Sequence, residues 1–111
     1  MDIPVEKLGD VAVAVIDVEE IDAGNSGELK RDITPILQAN RKIVIDLERV
    51  RFVDSSGLGV ILSCLRYQEA QGGHLKLCSM SRPVRTAFEL VRMHRLFDIF
   101  GSRDEAINAF R

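Results

Sequence analysis

The chain has 111 residues, 46% apolar and 29% charged, with a net charge of −2 and two cysteines. This composition suits one folded domain with one core, and it argues against a disordered chain. A negative balance also argues against a protein whose main partner is nucleic acid, because phosphate binding needs clustered cations. Cys64 and Cys78 form no C-x-x-C and have no His or Asp cluster around them. A disulfide framework and a metal site therefore find no support, and the two read as reduced intracellular core residues. No run reaches the roughly 18 apolar residues of a membrane span. Met1-Asp2-Ile3-Pro4 lacks the features of a signal peptide, so the reading is cytoplasmic.

Residues 3–7 are a weak first strand ended by the turn signal Gly9-Asp10. Val11 to Ile16 is an unbroken, largely β-branched apolar run, which predicts a strand buried on both faces. Together they predict an N-terminal hairpin. The acidic stretch Asp17 to Gly24 is expected to be a loop at one end of the sheet. Asn25 and Glu28 have capping-box spacing before the stripe Leu29, Ile33, Ile36 and Leu37, which predicts a helix. Pro35 within it predicts a kink, with the proline on the solvent side.

A second buried strand is predicted over 43–47, followed by a helix over 56–71 with Leu58, Ile61, Leu62 and Leu65 inward. Gln71-Gly72-Gly73 ends that helix. His74 to Cys78 alternates, so one face of this strand is expected to be less covered. Ser81 and Pro83 open a third helix with Val84, Ala87, Phe88 and Val91 inward. Residues 96–100 are a short strand or extended turn. Ser102 and Glu105 make a capping box for a last helix carrying Ala106, Ile107 and Phe110. Strands alternating with helices predict an α/β fold with a mixed, mostly parallel sheet, right-handed crossovers and about four helices. Arg82, Arg85, Arg92 and Arg95 read as a solvated helix face, with a site for an acidic partner as the alternative.

The chemistry concentrates at Asp54-Ser55-Ser56-Gly57. There an apolar segment turns into a helix, whose first N–H groups lack partners and whose dipole favours negative charge. Such an end can bind an anion or carry a covalent one. One polar cap would be explained by helix stability alone. Gly57 and Gly59 in the first turn would not, because each glycine costs a helix up to about 1 kcal/mol. Close approach of another surface is one explanation, and tight packing on the sheet is the other. A nucleophilic-serine enzyme needs a base nearby. No G-x-S-x-G occurs. His74 follows the far end of a helix about 24 Å long, and His94 falls in a late loop. No P-loop pattern occurs. Asp46 and Glu48 read as solvated strand-end charges rather than a catalytic pair.

Val-Asp-Ser-Ser-Gly-Leu-Gly-Val, after an Ile-Asp-Leu strand, resembles the signature of STAS domains, in particular bacterial anti-sigma-factor antagonists. Glu20-Ile21-Asp22, Glu28-Leu29-Lys30, Gly72-Gly73 and Pro83-Val84-Arg85 support the resemblance, which spans nearly the whole chain, 1–111. It implies a single STAS domain that switches partners. The unphosphorylated protein binds an anti-sigma factor that is also a serine kinase, and the sigma factor is freed. Phosphorylation of Ser55 ends that binding, and a PP2C-type phosphatase reverses it. The residues that carry over are Ser55 as acceptor, Asp54 beside it, Asp22 in the facing loop, and Ser56 and Gly57 on the same docking edge. No catalytic residue, metal, cofactor or direct contact with nucleic acid or membrane is expected from the sequence, and a monomer is the expectation for the free protein. The sequence departs from the family pattern at Glu19, where glycine is frequent, and at Pro35. Alternatives within the family are a non-switching scaffold, a ligand-binding module of a signalling complex, and the STAS module of a transporter.

Overall fold

A computed structural model describes residues 1–111. Five strands form one sheet: β1 (Val5–Leu8), β2 (Val11–Val15), β4 (Lys42–Asp46), β6 (His74–Cys78) and β7 (Asp98–Phe100), side by side in that order. β1 and β2 are the predicted antiparallel hairpin, and every other pairing in this sheet is parallel. The helices are α1 (Ser26–Ala39), α2 (Ser55–Ala70), α3 (Arg82–Leu90) and α4 (Arg103–Asn108). A 3₁₀ turn, Met93–Arg95, links α3 to β7.

The pleat sorts the side chains into two cores. Ala12, Ala14, Ile43, Ile45, Leu75 and Leu77 face α1, α2 and α3, which bring Leu29, Ile33, Leu37, Leu58, Ile61, Val84 and Phe88. Phe88 and Phe97 meet edge to face, with ring centres 5.7 Å apart. On the other face Val11, Val13, Val44 and Cys78 are covered by Ala106 and Ile107 of the short α4, with Phe110 partly buried against them. Lys76 lies on this thinner face. Its ammonium pairs with Asp98 at 3.0 Å and sits 4.7 Å from the Phe110 ring centre. The expected less-covered face of that strand is therefore closed by α4 and a cation over an aromatic ring.

Local chemistry sets the boundaries. Ser102 Oγ accepts from Glu105 N at 3.2 Å, so α4 starts on the predicted cap. Gly72, at φ +75°, provides the left-handed residue that stops α2. Pro35 is exposed on α1, on the solvent side as predicted, and the helix is unbroken from 26 to 39.

Four expectations are corrected. The acidic stretch 17–24 is not all loop: β3 (Glu20–Ile21) pairs in parallel with β5 (Phe52–Val53) as a separate two-stranded sheet. The Asn25–Glu28 capping box does not form. Asn25 turns back instead, its Oδ1 accepting from Asp22 N at 2.9 Å and its Nδ2 donating to Glu20 O at 2.7 Å. Val91 is not inward, because α3 ends at Leu90 and leaves it 55% exposed. Asp46 is not solvated. It is 2% exposed and receives Arg103 Nη2 at 3.0 Å and Nε at 3.3 Å.

Candidate docking edge at the start of α2

The small β3–β5 sheet positions the site. Its pairing, Glu20 with Phe52 and Ile21 with Val53, joins the acidic loop to the residues leading into α2. Arg51 N and Phe52 N donate to Glu19 O at 2.7 and 3.1 Å, and Asp54 N donates to Ile21 O at 3.1 Å. Two loops distant in sequence thus become one edge.

Asp54 is the cap of α2, and its carboxylate has two tasks. Oδ1 accepts from Gly57 N at 3.0 Å, satisfying one of the unpaired donors of the first turn. Oδ2 accepts from Ala23 N at 3.1 Å, across to the facing loop. That loop is held from within. Asp22 Oδ1 accepts from Gly24 N at 2.9 Å, and Asp22 O accepts from Asn25 N and Ser26 N at 3.2 and 2.8 Å. The Asp22 loop and Asp54 are therefore joined through Ala23 N, and each carboxylate also serves the backbone of its own turn.

Ser55 is the first residue of α2 and is exposed; Ser56 is half-buried. Neither hydroxyl has an intramolecular partner, and neither do the N–H groups of these two residues. Gly57 N and Leu58 N, by contrast, are taken by Asp54. A hydroxyl beside two free N–H groups at the positive end of a sixteen-residue helix is a position that accommodates an added anion.

The two glycines have different explanations. A Cβ on Gly57 would lie 2.5 Å from Ile21 O and 2.8 Å from Val53 Cγ1, so Gly57 is required by the packing of α2 on the β3–β5 sheet. It belongs to the floor of the edge rather than its face. A Cβ on Gly59 would meet nothing within 4 Å, and Gly59 is exposed. Nothing inside the molecule requires that glycine. Phe52, 52% exposed, stands on β5 beside the same helix start. Neither Phe52 nor Gly59 belongs to the predicted site. The available signal was an aromatic two residues before the cap and a second glycine with no inward role.

His74 begins β6 beyond the far end of α2, and His94 lies in the 3₁₀ turn after α3. No group of three His, Cys, Asp or Glu side chains is placed to hold a metal ion. No helix is long and apolar enough to cross a membrane. Cys64 and Cys78 are buried and free, and burial pushes their thiols up to about 12 and about 11.

The mixed sheet carries three helices on one face, and a helix started by Asp-Ser-Ser-Gly stands beside an acidic loop. The STAS domain family matches residues 2–106, and the chain belongs to it. The similarity extends to anti-sigma factor antagonists. The anti-sigma-B factor antagonist of Bacillus subtilis is 34% identical over 85 residues, covering 77% of this chain and 70% of the relative. A Thermotoga maritima protein considered an anti-sigma factor antagonist superposes with a TM-score of 0.89 at 26% identity, over 96% of this chain and 92% of that one. The Bacillus cell-fate determinant SpoIIAA, in its phosphorylated form, superposes with a TM-score of 0.73 at 25% identity, over 99% of this chain and 100% of that one.

Proposed function

We propose that this chain is a cytoplasmic anti-sigma-factor antagonist that switches partners through Ser55. The unphosphorylated form binds an anti-sigma factor that is also a serine kinase, and the sigma factor is released. The kinase phosphorylates Ser55 and so ends the contact, and a PP2C-type phosphatase restores it. The chain acts by binding rather than by catalysis, and the nucleotide belongs to the kinase.

The observation that carries this reading is the condition of Ser55. Its hydroxyl is exposed and unpartnered, at a helix start with two free N–H groups. A phosphate there adds a charge of about −1.5 to −2. The helix end tolerates it, so the fold survives. The docking edge does not, because Glu19, Glu20, Asp22 and Asp54 already make it acidic. Like charge on a packed polar contact costs several kcal/mol of binding. Phe52 and Gly59 supply the rest of the contact: an exposed ring, and a patch flat enough for a partner's backbone to approach. The phosphorylated form of the similar SpoIIAA is consistent with such a switch.

The test uses three forms of the chain against the anti-sigma kinase, isolated with Ser55→Ala as bait. Wild type and Ser55→Ala are expected to bind alike in calorimetry. Ser55→Asp is expected to bind about a hundredfold more weakly with an unchanged melting temperature. Equal binding by Ser55→Asp would overturn the switch.

A further inference from the structure

α1 and α2 pack side by side, and between them they leave a half-open cavity of about 310 Å³. Its floor is apolar: Ile33 and Leu37 of α1 and Cys64 of α2, all buried. Half-buried Thr34, Ser63 and Tyr67 make the walls. At the mouth stand two exposed cations, Lys30 from one helix and Arg66 from the other. Sites for small molecules start at roughly 300 Å³ and have this make-up, an apolar interior with a few polar groups that fix orientation.

The charge around the cavity is of one sign. No residue that lines it is acidic. Neither Lys30 nor Arg66 takes part in an ion pair. The acids of α1 that flank Lys30 are engaged elsewhere, Glu28 and Asp32 by the Met1 ammonium and by Arg31. Glu69, one turn beyond Arg66, borders a different hollow with Leu65, Gly73 and Leu96. The interior itself is neutral. Burial pushes the Cys64 thiol up to about 12; the Lys30 ammonium opposes that rise and no acid adds to it. Ser63 Oγ donates to Val60 O at 2.7 Å and Thr34 Oγ1 to Lys30 O at 2.6 Å, so both hydroxyl protons are committed to helix backbone. Apart from the Tyr67 hydroxyl, the side-chain donors left for an anion are the two cations at the mouth. A group reaching the floor has to be apolar, because a polar one would lose its water without gaining a partner.

We propose that this cavity binds a small monocarboxylate with an apolar tail, the tail against Ile33, Leu37 and Cys64 and the carboxylate between Lys30 and Arg66. The unpaired cations select an acid over an amine, and the guanidinium fork suits a carboxylate in particular. The apolar floor selects a hydrocarbon tail over a sugar or a second acid group. The site is distinct from the docking edge. Ser63 lies about 12 Å beyond Ser55 along α2, at 1.5 Å per residue. Binding is therefore independent of phosphate on Ser55. The ligand nevertheless bridges the two helices that follow the Asp22 loop and the Asp54 cap.

The experiment titrates the full chain with octanoate and follows the backbone amide resonances by NMR. The expected result is saturable shifts centred on Lys30, Thr34, Ser63 and Cys64. Acetate has the head without the tail, and octylamine has the tail with the opposite charge. Both are expected to bind at least about tenfold more weakly than octanoate. Lys30→Gln/Arg66→Gln changes two exposed residues, so it should keep the native spectrum and melting temperature while octanoate binds about tenfold more weakly. No saturable shift, shifts centred elsewhere, acetate or octylamine bound as tightly, or unchanged affinity in the double variant would each overturn the proposal. Ser55→Asp should bind octanoate as wild type does, and a loss there would overturn the independence of the two sites. Failure of the Ser55 switch itself would leave the proposal standing.

Discussion

Gly57 and Gly59 look equivalent in the sequence and have opposite roles in the structure. Gly57→Ala drives a methyl into the Ile21 carbonyl, a backbone atom that cannot step aside. The expected loss is about 3 kcal/mol, read from the denaturation midpoint. Gly59→Ala meets open space and removes a helix-weakening residue, so the midpoint should rise by up to about 1 kcal/mol. If a partner's backbone approaches there, the same variant binds the kinase more weakly. A Gly59→Ala chain that is both more stable and fully competent to bind would remove Gly59 from the interface. The cysteines give a second test at this scale. Both thiols ionise near 9 in an unfolded chain, but burial raises them to about 12 in Cys64 and about 11 in Cys78. Below pH 9 both states keep their protons. Above it the unfolded chain releases protons that the folded chain retains, so stability falls as pH rises through that window. The fall between pH 8 and about pH 10 should shrink in Cys64→Ala/Cys78→Ala. An equal fall in that variant would assign it to other groups.

Among the elements, the short α4 is fastened through one residue, Arg103, which makes two ion pairs. Arg103 reaches the buried Asp46 at the end of β4 and, through Nη1, Glu6 of β1 at 2.9 Å. Asp46 Oδ1 also accepts from Glu48 N at 3.0 Å. Arg103→Met strands a buried carboxylate and should cost about 3 kcal/mol. Adding Asp46→Asn keeps the acceptor for Glu48 N without the charge, and most of the loss should return. A double variant no better than the single one would show that the arginine's packing, not its charge, holds α4. This pair was not legible in the sequence, because nothing local says that Asp46 is reached from residue 103. The β3–β5 sheet was hidden for another reason. Two residues per strand are too short for any periodicity to show. Gln68 was hidden in the same way as Asp46. It is fully buried on α2 because its Nε2 donates to Asn40 O at 2.7 Å, on a turn 28 residues away in sequence.

At the scale of the whole molecule, what was legible was what repeats or caps. The β-branched runs at 11–16 and 43–47, the stripes of the helices and the Ser102 cap all announced their elements, and their alternation announced the parallel sheet. Val91 misled because its spacing continued a stripe that the chain abandons at Leu90. The Asp54-Ser55-Ser56-Gly57 turn was legible as a charged helix start. That Asp54 would use both carboxylate oxygens to join two loops was not, because it depends on β3 meeting β5. The result is a molecule with an acidic edge at the start of α2 and exposed aliphatic side chains, Leu90, Val91 and Leu96, toward its other end. The central claim is that the acidic edge is switched at Ser55. Phosphopeptide mass spectrometry on the protein isolated from its own cells, in growth and under stress, tests it most directly. The account predicts partial phosphate on Ser55 that changes with condition. No phosphate in any condition despite full peptide coverage, or phosphate on Ser56 alone, would contradict it.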